Sequence, residues 1–521
     1  MLRRLVCLAA ALWVCSCSFP DLSMPPNYGF VTVTSSGRAL VSGSADAPPT
    51  LDLRIHAGAA LRSQDVRSTL DGSVLRLHPT RGDLTATVPP LGLGSAHHLA
   101  VAVAGRAGMN IDFKVIAPTA AMLAAHVDPT AGLVVDGVFA GAPSQAAIAA
   151  ALPGAQEAWV DATHVRVTWP AAPPSAVDLP ATVPTDRGSH LAAAVHLDLS
   201  HLQRGTLRRV TIPTAAPPGP VALTAFVVDT PASNTSLAAH AGRIHALCPT
   251  GWVAQADGSV AGAPDPVAVE RAGAAGVPLW PSLANDAADP AASTALLHDA
   301  AAGSRLIGAM VAAQASAGYR GINLDFEGMA ATDKDAFSAF VVALAAALHQ
   351  HGAQLMVDVV PHDGSGVNQY SAAYDVSAIA QAADFVDLMA YDEHADGTAP
   401  GPVAGLDWDG AQLAGTLPEL NPAHTLLGIP LYARSWRNGV GAATSFAEAV
   451  SGGLATAGAR VDYDFAAATP SIVSPDGTTI SYFDDADSLT RKLALVGAHG
   501  LAGVAAWRLG FEDPGFWSIL G

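Results

Sequence analysis

YRGINLDFEG, Tyr319 to Gly328, places Asn323, Asp325 and Glu327 at alternate positions inside an apolar run. A half-buried strand alternates in this way when its polar face meets water. Here Gly328 and the Ala-rich start of a helix follow directly, which puts the strand inside a larger fold. In a chain only 14% charged, two carboxylates and an amide on one face of an interior strand cost free energy unless something uses them. Working outward, short apolar runs alternate with Ala-rich helical stretches from Val221 to the C-terminus. The runs are VALTAFVVD, RIHALCPTGW, GVPLWPSLAN, GINLDFEG, AQLMVDVVP, DFVDLMAYD, TLLGIPLYARSW and LAGVAAWRLG. They read as buried parallel strands, and the repeated strand-then-helix order predicts an α/β fold, a (β/α)8 TIM barrel over 221–521. Barrel enzymes carry their chemistry at the C-terminal strand ends. Glu327, Asp392 and Trp507 fall at or near such ends.

Residues two apart on a strand face the same side, about 6–7 Å apart. Asn323, Asp325 and Glu327 therefore point into one space. If that space is the barrel interior, Glu327 emerges at the mouth and Asp325 lies one layer deeper, within reach of it. Close like charges raise a pKa, so one of the pair keeps its proton near neutral pH, and a protonated Glu at a pocket mouth is a general acid. Spacing alone leaves a second reading open, a strand whose acids meet solvent or pair with Lys or Arg.

The formal net charge of the 521 residues is −19. That balance argues against nucleic acid, which needs clustered Lys and Arg, and against simple attraction to anionic lipid headgroups. At the N-terminus, Arg3 and Arg4 precede an apolar Leu5–Val14, the pattern of an export signal over 1–17. LWVCSC reads as a lipoprotein box ending at Cys17. Ordinary signal cleavage near the same point is the alternative. The expected location is the cell envelope or the exterior, with a membrane link only through that anchor. Three of the four cysteines fall in the leader, so Cys248 reads as a small buried apolar residue rather than half of a disulfide or a metal ligand. Segments 27–118 and 119–217 alternate in short runs between Gly, Pro, Asp and Ser turns, predicting two all-β sandwich-like (Ig-like) modules. Spacers are favoured over sugar-binding modules, because aromatic residues are scarce there and core packing accounts for Trp159 and Trp169. Pro213–Val221 reads as a linker.

GINLDFEG resembles the active-site strand of glycoside hydrolase family 18, the chitinase family, whose pattern is Asp-Gly-x-Asp-x-Asp-x-Glu. Gly321, Asp325 and Glu327 match it; Asn323 stands where the middle Asp is usual, and Arg320 replaces the first Asp. LMAYD resembles the sixth-strand motif through Met389, Tyr391 and Asp392. LLGIPLYARSW resembles the seventh strand, and the stretch from YFDD to GFED the last helix and eighth strand with Trp507. The NLDFE form is similar to the bacterial branch with spore-cortex-lytic and other peptidoglycan-directed members.

The resemblance implies substrate-assisted, retaining hydrolysis of β-1,4 bonds after N-acetylglucosamine-type residues, with no cofactor and no metal. Glu327 would protonate the glycosidic oxygen, and the sugar's own acetamido oxygen would attack. Asp325 would hold the acetamido N–H, and Tyr391 would donate to the attacking oxygen. Trp507 would floor the site, with Asn323, Met389 and Asp392 around the substrate. Tyr432 and Arg434, read on the seventh strand, are further candidates, with Arg434 equally open to a structural ion pair. Asn323 is expected to hydrogen-bond Asp325 without sharing its proton. The partner would be a polysaccharide or oligosaccharide containing N-acetylglucosamine, chitin-type or peptidoglycan, met by a monomer. The alternative is a chitinase-like protein that binds glycan with weak or lost catalysis. His362 and His394 read as incidental loop residues.

Overall fold

Nearly continuous apolar strands require cover on both faces, and the C-terminal region supplies it. The computed structural model describes residues 218–520 apart from 364 and 365. Ahead of them it describes 121–140, 152, 154–170, 173–184 and 190–212 and, before residue 121, separate strands and short turns. Residues 1–3 and 7–12 of the leader reading and 213–217 of the linker reading lie outside the described residues.

The barrel strands are β1 (Leu223–Val227), β2 (Ala246–Pro249), β3 (Ser282–Ala284), β4 (Gly321–Asp325), β5 (Gln354–Val359), β6 (Phe385–Leu388), β7 (Thr425–Pro430) and β8 (Gly503–Trp507). They pair in parallel in the order β2-β1-β8-β7-β6-β5-β4-β3. The ring closes between β3 and β2: Leu247 bridges Leu279, the Leu247 N–H donates to Pro278 O at 2.9 Å, and the Trp280 N–H donates to Leu247 O at 2.8 Å. Short strands Trp252–Ala254 and Val260–Ala261 extend the sheet beside β3.

The helices start and stop where local chemistry dictates. Thr230, Asp265 and Asp289 cap helices whose first residue is Pro231, Pro266 or Pro290, so each start has a side-chain acceptor and a residue with no N–H to satisfy. Ala300–Ala317 ends at Gly318, whose φ of 68° suits a residue without Cβ. One core joins strands and helices, with Leu223, Leu283, Leu324, Val357, Leu388 and Leu427 from the ring and Leu306, Phe337, Leu344, Leu413 and Leu493 from the helices around it. Phe326, just beyond β4, belongs to that core and stacks on Phe337 and Phe340. Cys248 is free and fully buried, as its reading required.

One expectation needs correction. TLLGIPLYARSW is not a single barrel strand. β7 ends at Pro430, and Tyr432–Arg437 leaves the ring to pair antiparallel with Val440–Ser445 and Thr479–Tyr482, the latter also pairing with Thr469–Val473. Tyr432 and Arg434 therefore belong to a sheet inserted between β7 and β8.

The chain divides into two compact units, Met1–Ala215 with Leu454–Asp462, and Ala216–Gly453 with Tyr463–Gly521. In the first unit every described strand pairing is antiparallel. Before residue 115 the strands form one sheet from Arg4–Val6 to His78–Thr80 and another from Met109–Lys114 to Ser73–Leu75. Cys17 lies in the strand Trp13–Ser18. Beyond residue 120 a five-stranded sheet and the hairpin Ala176–Pro184/His190–Asp198 follow. Leu197 and Leu199 share a core with Leu123, Val135 and Val165, and Trp159 and Trp169 pack against it.

Candidate active site

The mouth of the barrel is built where the strands run out. The β3–β4 ladder stops at Ala284 opposite Asp325, so Glu327 stands past the last rung, accessible to solvent, while Asp325 is half-buried beneath it. The two carboxyls interact directly, each shifting the other's ionisation. Burial, then the charge of Glu327, pushes Asp325 from its ordinary 3.8 up to about 8. Burial and the nearby Asp392 raise Glu327 as well. Both groups therefore hold a proton more tightly than an ordinary carboxyl.

Beside this pair lies a cavity of about 390 Å³. Asp325 and Glu327 line it together with Met389, Tyr391 and Asp392 from beyond β6, Tyr432 and Arg434 from the inserted sheet, and Trp507 at the end of β8. Trp507 rests edge-on against Phe226 of β1, ring centres 5.5 Å apart, which fixes one apolar wall. Burial and the surrounding carboxylates hold the Tyr391 phenol well above its usual range, so it keeps its proton and can donate a hydrogen bond. Asp392 adopts a left-handed backbone, φ 64°, which Asp tolerates better than most residues. It accepts hydrogen bonds from Tyr432 Oη and Arg434 Nη2, and Arg434 also reaches Asp396. Arg434 thus lines the cavity and is an ion-pair partner as well.

Asn323 departs from its reading. It is fully buried and outside the cavity lining. Its Nδ2 donates to Asp358 Oδ1 of β5 at 2.6 Å, not to Asp325. The reason is registry: Asn323 pairs with Met356, which brings the next inward residue of β5 alongside. Sequence reasoning also missed Asp358 itself, which lines the cavity, and Asp387, which the ladder pairs with Asp358. Asp387 is wholly buried and neither carboxyl oxygen has a hydrogen-bond partner. Burial and the neighbouring acids raise both. Their signal was present: MVDVV and FVDLM each interrupt an apolar strand with an acid, as GINLDFEG does. Phe226, Ala443, Arg508 and Phe511 complete the lining. The two loop histidines do other work, His362 pairing with Glu419 at 3.2 Å and His394 bonding Pro402 O at 3.0 Å.

Residues 276–512 match the family model described as glycosyl hydrolases family 18. That region of the chain belongs to glycosyl hydrolase family 18. It is 26% identical over 237 residues to the cortical fragment-lytic enzyme of Bacillus anthracis, 44% of this chain and 55% of that protein. It is 28% identical over 236 residues to mouse chitotriosidase-1, 38% of this chain and 50% of that protein. The chain spans 50% to 60% of the length of the curated relatives it matches first. Among solved structures, a chitinase from Chromobacterium violaceum superposes with a TM-score of 0.54 at 28% identity, covering 58% of this chain and 98% of that one. In family 18 terms, the acidic strand motif is β4 and its continuation, and its Glu stands at the open end of the barrel.

Two consequences can be measured. Asp325 ionises near 3.8 when unfolded and near 8 when folded, so the native state binds more protons across that window. Stability therefore falls as pH rises from the lower value through the upper one. Asp325→Asn should flatten this slope in urea melts compared at about pH 5 and about pH 8; an unchanged slope would show that the group titrates normally. Separately, Tyr374 Oη donates to the Phe326 carbonyl at 2.7 Å from a buried position. Tyr374→Phe leaves that carbonyl without its donor and should cost about 1–3 kcal/mol in denaturant unfolding.

Proposed function

We propose that this chain is an exported glycosidase that hydrolyses β-1,4 bonds following N-acetylglucosamine-type residues in peptidoglycan or chitin-type glycans, by substrate-assisted retaining catalysis. The observation that carries the reading is the Asp325–Glu327 pair lining one cavity together with Tyr391 and Trp507. Glu327 in its acid form protonates the leaving oxygen. The substrate's acetamido oxygen attacks the anomeric carbon, steadied by the Tyr391 hydroxyl, while Asp325 accepts the acetamido N–H and stabilises the cyclic cation that forms. Trp507 offers its face to the sugar's C–H surface. Glu327, now a carboxylate, takes a proton from water, which opens the intermediate with retention.

The cortical fragment-lytic relatives favour peptidoglycan, and the chitinase relatives favour chitin-type chains. Export rests on the leader, with Cys17 as the lipidated residue and the two N-terminal β modules as spacers. The test incubates the purified protein with chitin oligosaccharides and with peptidoglycan in parallel and reads products by mass spectrometry. Cleavage of one substrate, giving the β-anomer first by NMR and failing on its de-N-acetylated form, is the expected outcome. Saturable binding without cleavage of either would replace the enzyme reading with a glycan-binding one.

A further inference from the structure

Glu327 stands past the end of β4, where no strand ladder holds its main chain, yet a general acid must be held to within a fraction of an ångström. Asn285 sits at the corresponding place past β3 and is buried. Its Oδ1 accepts the Glu327 N–H at 2.8 Å, and its Nδ2 donates to the Glu327 carbonyl at 2.7 Å. The other Nδ2 hydrogen goes to Ser293 Oγ at 2.8 Å. Ser293 is itself buried on the helix Pro290–His298, so the amide is anchored to the barrel wall. The contact continues at Gly328, φ 63°, where a Cβ would lie 2.8 Å from Ala287 O. On the other side, Tyr374 holds the Phe326 carbonyl.

We propose that Asn285 is the positioning residue for the acid Glu327, its side chain pairing with both polar groups of that residue's main chain as a neighbouring strand would. The ladder ends at Ala284 and Asp325, and the Asn285 amide carries the same two-bond pattern one step further. This assignment rests on the glycosidase reading for its consequence, though not for its geometry. Asn285→Ala leaves the Glu327 carboxyl in place but releases its main chain. Misplacement of about 1 Å can lower turnover by roughly 10²-fold, so kcat should fall by about 10–100-fold while KM stays within about threefold. Asn285→Asp keeps an acceptor for the Glu327 N–H but loses the donor to its carbonyl. It also adds a like charge, so the alkaline limb of the pH–rate profile should move upward.

The experiment compares the full-length wild type with Asn285→Ala, Asn285→Asp and Ser293→Ala, each with its unfolding midpoint. It measures steady-state kinetics on whichever glycan the wild type cleaves, and hydrogen exchange at the Glu327 amide. Protection of that amide should drop about tenfold in Asn285→Ala and less in Ser293→Ala. Ser293→Ala supplies the reading if Asn285→Ala does not fold. Unchanged protection in the folded variants overturns the clamp, and so does an unchanged kcat beside an active wild type. A wild type that cleaves nothing, with protection that still depends on Asn285, retires the glycosidase reading and leaves the clamp standing.

Discussion

Glu327→Gln lowers kcat by roughly 10²–10⁴-fold, the usual worth of a positioned general acid, with the unfolding midpoint close to that of the wild type. Gln matches Glu in shape, but it cannot release a proton to a leaving oxygen. The residue lies at the solvent-accessible mouth, so the substitution opens no cavity in the core. Substrate binding should survive, because Trp507, Tyr391 and Asp392 are untouched, and removing the carboxylate relieves repulsion against Asp392. Kinetics on the glycan that the wild type cleaves, with binding measured by calorimetry, checks both halves. Full activity in Glu327→Gln would sink the mechanism. Turnover lost together with fold would move Glu327 from chemistry to structure.

The second large effect is on stability. Lys492 projects from the helix Ala486–His499 into the protein and is only 1% exposed at its side chain. Its ammonium donates to Asp409 Oδ2 at 2.9 Å and to the Ala404 carbonyl, with Asp484 at 3.8 Å. Asp409 is also buried, and desolvation lifts it to about 6 despite the lysine. Lys492→Met keeps most of the apolar stem but takes the cation away from buried Asp409. Removing one partner of a buried pair costs roughly 3–5 kcal/mol, and denaturant unfolding at about pH 7 should show a loss of that size. Lys492→Met combined with Asp409→Met should cost less than Lys492→Met alone, since the buried carboxyl that lost its cation is gone as well. Equal or larger loss in the double variant would show that packing, not charge, sets the effect.

Much of the site was legible because its residues lie on single strands. Alternation along GINLDFEG puts Asp325 and Glu327 on one face whatever the rest of the chain does, and LMAYD carries Tyr391 and Asp392 past the end of β6 in the same way. Asn323 shows the limit. Its strand and its inward direction were readable, but its partner was not, because Asp358 lies 35 positions away and meets it only through the β4–β5 register. Asn285 was invisible for the same reason, 42 positions from the residue it holds and with nothing in PSLAN to mark it. Tyr432 and Arg434 were placed in the cleft but on the wrong element. An apolar run that crosses Pro430 and leaves the barrel has the same local pattern as one that stays in it.

By itself, then, the sequence determined the repeated strand-and-helix order of the barrel, which strand faces carry acids, and which residues stand at strand ends, since all three follow from backbone periodicity and local turn chemistry. Only the tertiary structure decided which strands are neighbours, that the buried acids of β4, β5 and β6 come together, that an inserted sheet closes Arg434 onto Asp392, and that Asn285 holds Glu327. Those pairings are set by ring closure and register between segments far apart in the chain, where a shift of one residue would turn each side chain to the opposite face.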